Sequence, residues 1–173
     1  METVAHSTHR LVRPLGLLLG VVLAATALAS WRVPGGQRSL GADVQVEALQ
    51  TGAIGITPLH PFLSKPSLLP GKSADGAVTL RNQTGVPMSV RLQAMPSTRD
   101  LDSLLRVRVS DARGVLYDGN LGGLRTAGTT PLRLAGGQSD KLNLHASLPS
   151  SVRSGFQGRI VDITLQINSA RTR

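Results

Sequence analysis

The residues that could do chemistry are few and scattered. His occurs at positions 6, 9, 60 and 145. His6 and His9 precede a long apolar run and belong to a segment expected to be removed. His60 and His145 are far apart in sequence. With an Asp they could offer imidazole and carboxylate ligands to a metal, but no His-Glu-x-x-His places two His on one helix face. His145 falls on the polar side of an alternating stretch, where a solvated imidazole is the plainer reading. His60 sits among prolines. Asp100 and Asp102 are two apart and form a carboxylate pair of the kind used in acid–base chemistry. The plainer reading is two solvated turn carboxylates. Ser150 and Ser151 follow Pro149 in a loop, and no Gly-x-Ser-x-Gly elbow surrounds any Ser. Gly122-Gly123 and Gly136-Gly137 read as turns with no helix following, so they cradle no phosphate. Asn82-Gln83-Thr84 matches the glycosylation sequon within a tight loop. No catalytic, cofactor-binding or metal-binding residue is predicted, and the chain is not expected to be an enzyme. A metallopeptidase is the enzymatic alternative.

The elements around these residues point to export and a β fold. There is no Cys, so disulfides, thiolate metal sites and a lipid-modified N-terminal Cys are all excluded. The net charge is +9, with Arg far outnumbering Lys. These Arg are dispersed rather than clustered, and aromatics for base stacking are nearly absent. Nucleic acid is therefore not an expected partner. His9, Arg10 and Arg13 form a basic region before the uncharged stretch Leu15 to Ala29 (LGLLLGVVLAATALA). Small residues at Ala25, Ala27 and Ala29 suit signal peptidase. This is the three-part pattern of a secretory signal, and the apolar run is shorter than the roughly 20 residues of a spanning helix. Residues 1–29 are thus a signal peptide, or an N-terminal membrane segment if uncleaved. Either way the rest of the chain is secreted or held at the extracytoplasmic cell surface. Residues 30–41 (SWRVPGGQRSLG) read as a flexible linker. Past the last expected strand the sequence shows no second apolar run, so no C-terminal wall anchor is expected.

Residues 42–170 carry period-two alternation almost throughout. Val44, Val46 and Ala48 alternate with Gln45 and Glu47. A short strand follows at 53–57. Pro58 to Pro70 contains four prolines and reads as a loop. Val78 and Leu80, then Val86 to Ala94, alternate on either side of Asn82-Gln83-Thr84-Gly85, which predicts a hairpin. Further strands are expected at Leu104 to Val109, Val115 to Tyr117, Leu142 to Leu148 and Val161 to Ile167, with a short extended piece at Pro131 to Leu134. Leu121 to Thr130 reads as a loop. About eight strands without a helical period predict an all-β, two-sheet antiparallel sandwich of jelly-roll or immunoglobulin-like Greek-key type. A closed barrel is the alternative. The connections at Pro96 and Pro149 are expected to cross between sheets.

Several motifs resemble one family. They are Leu69-Pro70-Gly71, Asn82-x-Thr84-Gly85, Leu116-Tyr117-Asp118-Gly119, Gly136-Gly137-Gln138-Ser139-Asp140, Leu148-Pro149 and Phe156-Gln157-Gly158. Together with the N-terminal signal they resemble the TasA/camelysin family of secreted bacterial β-sandwich proteins, in an actinobacterial-type version. The resemblance implies a surface or biofilm-matrix protein that assembles into fibres by donating a terminal strand. It also implies a metalloprotease label for camelysin-type members, for which this sequence has no zinc motif. The implied partners are further copies of the chain, joined through an N-terminal strand within Ser30 to Leu49, together with envelope or matrix proteins and signal peptidase during export. A second expectation is an envelope-associated immunoglobulin-like binding or accessory domain presenting the loops Pro58 to Pro70 and Leu121 to Thr130.

Overall fold

The computed structural model describes residues 40–49 and 52–172. The expected targeting segment 1–29 and most of the expected linker 30–41 lie outside these residues. Among the described residues, no helix is long and apolar enough to cross a membrane.

The described residues form ten strands and one short helix, which in chain order are β1 (Ala42–Leu49), β2 (Ile54–Thr57), β3 (Leu63–Leu68), β4 (Ser73–Asn82), β5 (Met88–Pro96), β6 (Arg106–Asp111), β7 (Gly114–Asn120), α1 (Leu121–Thr126), β8 (Leu132–Leu134), β9 (Ser139–Ser147) and β10 (Ile160–Arg171). Two five-stranded sheets result, ordered β3-β1-β10-β5-β8 (sheet A) and β2-β4-β9-β6-β7 (sheet B). The all-β two-sheet sandwich predicted from the alternation is the observed fold. The chain passes from sheet to sheet at nearly every connection, including those at Pro96 and Pro149, as expected.

Alternation explains the layers. Ala42, Val44 and Val46 of β1, Val90 and Leu92 of β5, and Val161 to Ile167 of β10 bury their apolar side chains against Val78 and Leu80 of β4, Val107 and Val109 of β6, and Leu142 and Leu144 of β9. Each buried Val, Leu or Ile contributes roughly 1.5–3 kcal/mol. Intervening polar residues face outward on both sheets.

Four expectations are corrected. The hairpin across residues 82–85 does not form, because β4 lies in sheet B and β5 in sheet A. The connection is an arch over the end of the sandwich, and Asn82 holds it. The Asn82 Nδ2 group donates to the carbonyls of Val86 (2.8 Å), Leu134 (3.1 Å) and Ala135 (3.0 Å). Its Oδ1 accepts from Thr84 N (3.0 Å) and Thr84 Oγ1 (2.7 Å). Buried amides need such partners, and a paired hairpin would leave this one without them. The sequon asparagine is therefore a structural amide, fully buried.

The second correction concerns Pro58 to Pro70. Within it, Leu63 to Leu68 forms edge strand β3, paired antiparallel with β1 and interrupted by a register shift between Ala42 and Val44. Pro66 lacks an N–H but sits on an edge beside that irregularity, where the ladder tolerates it. Gly76 lets β3 close against β4. A Cβ there would approach the Phe62 carbonyl oxygen at 2.5 Å.

Third, the sandwich is not wholly antiparallel. β1 and β10 pair in parallel, from Asp43 opposite Ile160 to Leu49 opposite Gln166. Fourth, residues 121–126 are helical rather than a loop, although no long apolar period announces it. Asn120 caps the helix by accepting from Gly123 N at 2.8 Å, and Leu121 and Leu124 are buried in the core. Glycines occupy this turn because other side chains fill the space. A Cβ on Gly123 would meet the Tyr117 hydroxyl at 2.4 Å.

Candidate functional site

The sequence candidates separate in space. Asp100 and Asp102 do not act as a carboxylate pair. Asp100 Oδ2 accepts from Arg159 Nη1 at 2.8 Å, whereas Asp102 pairs with Arg125 of α1. Each carboxylate is neutralised by its own Arg, which removes the like-charge coupling that acid–base pairs exploit. Ser150 and Ser151 lie in the β9–β10 connection. Among the described residues, no three His, Asp or Glu side chains are grouped as metal ligands. His60 is exposed between β2 and β3.

His145 is not simply solvated. It stands on the outer face of sheet B, and its Nδ1 lies 2.7 Å from Asp75 Oδ1. A carboxylate only accepts, so the proton between them belongs to Nδ1. The register explains the encounter. Asp75 of β4 is directly opposite His145 of β9, His145 is opposite Arg108 of β6, and Arg108 is opposite Asp118 of β7. Directly opposite residues on one face have Cβ atoms about 5 Å apart. Four polar side chains thus form one row across four strands. Asp118 accepts from Arg106 at 3.2 Å and lies 4.0 Å from Arg108. Both Arg side chains are more than half exposed, so these pairs orient the guanidinium groups and add little stability.

A row of shorter residues runs beside the long one. Ala77 is opposite Asn143, and Asn143 is opposite Ser110. Long side chains flanking short ones leave an open trough of about 500 Å³, bordered by Asp75, Ala77, Arg108, Ser110, Asn143 and His145. A smaller concavity of about 220 Å³ continues from Arg108 and His145 toward Arg106, Asp118 and Ser147. Sequence reasoning placed His145 on the polar side of β9 but gave it no partners. Those partners come from three other strands, and only the register brings them together.

Two further polar clusters are architectural. At the β6–β7 turn, Asp111 accepts from Arg113 N, Gly114 N and Arg113 Nε at 2.8–2.9 Å, and Arg113 reaches on to Asp140 of β9. Burial would raise the Asp111 carboxyl, but the Arg113 and Gly114 N–H bonds and the Arg113 charge outweigh it and hold the group below the usual carboxylate range. Near α1, the Tyr117 hydroxyl donates to the Asn120 carbonyl at 2.5 Å. Burial pushes its phenol up.

The segment expected to exchange between copies contains β1. This is the first strand of the described sandwich, yet it lies inside sheet A between β3 and β10. Seven of its positions pair with β10. The stretches expected to act as presenting loops are largely part of the packed body, since they contain β3 and α1.

No family model matches the chain, and no curated protein matches it significantly. Among solved structures, it shows likeness to AvmM, described as catalysing macrocyclisation in alchivemycin A biosynthesis. That likeness has 15% identity, spans 70% of this chain and 89% of that one, and has a TM-score of 0.35. A second likeness is to the N-terminal domain of PorA, with 7% identity, coverage of 75% and 89%, and a TM-score of 0.30. At these scores neither likeness bears on function.

Proposed function

We propose that this chain is an exported structural protein of the cell surface or extracellular matrix, of the TasA/camelysin kind, whose subunits join by exchanging the N-terminal strand. The observation that supports this reading is the place of β1. A strand at the start of a domain can be withdrawn and replaced by the same strand of another copy, with every native contact kept. Here such a strand occupies an internal slot, buries Ala42, Val44 and Val46, and is bonded on both sides. Exchange therefore regains a full set of buried contacts, whereas simple edge addition gains only one ladder.

The test uses a covalent report of which copy supplies β1. Glu47 and Thr164 are opposite each other across β1 and β10, with Thr164 Oγ1 3.3 Å from Glu47 Oε1. The chain has no Cys of its own, so a Glu47→Cys/Thr164→Cys variant forms one defined disulfide. At high concentration, exchange gives a ladder of disulfide-linked multimers on a non-reducing gel and fibres by electron microscopy. A disulfide confined to monomers at every concentration overturns exchange.

The second reading is an envelope-associated immunoglobulin-like binding or accessory domain. It is favoured by the open polar trough on sheet B rather than by the loops first expected to present a partner. A camelysin-type metallopeptidase has the least support, because the two His candidates lie in different settings and His145 is engaged by Asp75.

A further inference from the structure

From the outer face of sheet B we infer a binding site for an acidic, carboxylate-bearing polysaccharide. The site is the trough beside the Asp75–His145–Arg108–Asp118 row, and it stands whether or not subunits exchange β1. Three observations carry it. First, the fixed charge of this face is mainly positive. Arg106 and Arg108 are exposed beside the trough, and Arg81 and Lys141 are exposed on the same face of β4 and β9. Asp118 touches both trough arginines and holds them in place while leaving them more than half accessible. An Arg fork presents parallel donors that match a carboxylate.

Second, the trough is not purely cationic. Asp75 and Asp118 offer acceptors, and Asn143 and Ser110 offer both donors and acceptors. A sugar chain supplies hydroxyl donors for these acceptors and carboxylates for the Arg groups. A phosphodiester chain supplies acceptors only at its backbone, so Asp75 and Asp118 would repel it. The face also lacks an aromatic platform for bases, on which single-stranded nucleic acid depends. Third, the low Ala77–Asn143–Ser110 row gives an extended polymer an open path across the strands, in place of an enclosed pocket for a small molecule.

The experiment measures binding of the full-length chain to polygalacturonate by calorimetry, with neutral dextran, polyphosphate and duplex DNA as comparison polymers. Saturable binding to polygalacturonate is expected, with none to dextran and much weaker binding to the two phosphate polymers. An Arg106→Ala/Arg108→Ala variant should bind about tenfold more weakly or worse, as expected for two lost charge-assisted contacts. Arg153→Ala/Arg171→Ala removes the same charge from exposed positions off this face and should change affinity less than about twofold. Ala77→Gln fills the trough without altering charge and should also weaken binding, with the thermal melt unchanged. The proposal is overturned by absence of polygalacturonate binding, by equal loss in the Arg153/Arg171 variant, or by phosphate polymers binding as tightly. The first result leaves no site, and the other two reduce the effect to the net charge of the chain.

Discussion

Asn82 and His145 both gather polar partners from distant strands, but in opposite settings. Asn82 is fully buried, and both ends of its amide are engaged by Val86, Leu134, Ala135 and Thr84. Nothing outside the protein can reach it, so its bonds serve to lock an arch between the sheets. His145 stands on an open face and shares a row with Asp75, Arg108 and Asp118, with a trough alongside. Its neighbours keep exposed donors and acceptors. Polar convergence inside the sandwich therefore maintains architecture, and the same convergence on its surface leaves capacity for a ligand. The Asp111–Arg113–Asp140 cluster lies between these limits, since its carboxylate is buried and its guanidinium half exposed.

That contrast sets an order of effects on stability. Asn82→Ala should be the most damaging, because it removes the buried amide that ties the Val86, Leu134 and Ala135 carbonyls to Thr84. A loss of about 3 kcal/mol is expected, seen as a Tm lowered by roughly 10 °C in calorimetry. A loss below about 0.5 kcal/mol would show that the arch is held by packing alone. Asp111→Asn should come next, at about 1–2 kcal/mol near neutral pH. Its effect depends on pH in a defined direction. The folded carboxyl is held below its ordinary range, so its contribution is complete above about pH 4 and is lost as the pH falls through the lowered value. Denaturation curves of wild type and Asp111→Asn should therefore converge in acid. A gap that stays constant down to pH 2 would contradict the charged account of that turn.

Arg106→Ala/Arg108→Ala should have the smallest effect, within about 0.5 kcal/mol, because exposed ion pairs contribute little. This variant sharpens the comparison, since it should abolish most polymer binding while melting like wild type. Asn82→Ala should do the reverse, weakening the fold while the remaining folded fraction binds with unchanged affinity.

Much of the architecture was legible in the chain. Alternation in Val44 to Ala48, Leu104 to Val109 and Val161 to Ile167 marks strands and their buried faces, because a pleated strand points successive side chains to opposite sides. The cross-sheet passages at Pro96 and Pro149 were legible as well. The site was not. Its elements, Asp75, Arg108, His145 and Asp118, are outward residues that local patterning reads only as polar.

By itself, then, the sequence determined the β class, the inward residues and several connections, since these follow from local periodicity and the backbone limits of Pro and Gly. Only the tertiary structure decided which strands are neighbours. It turned the expected hairpin at 82–85 into an arch, set β1 in parallel beside β10, folded residues 121–126 into a capped helical turn, and brought β4, β9, β6 and β7 into one register. Strand pairing depends on contacts between residues tens of positions apart, and nothing in a strand's own alternation names its partner.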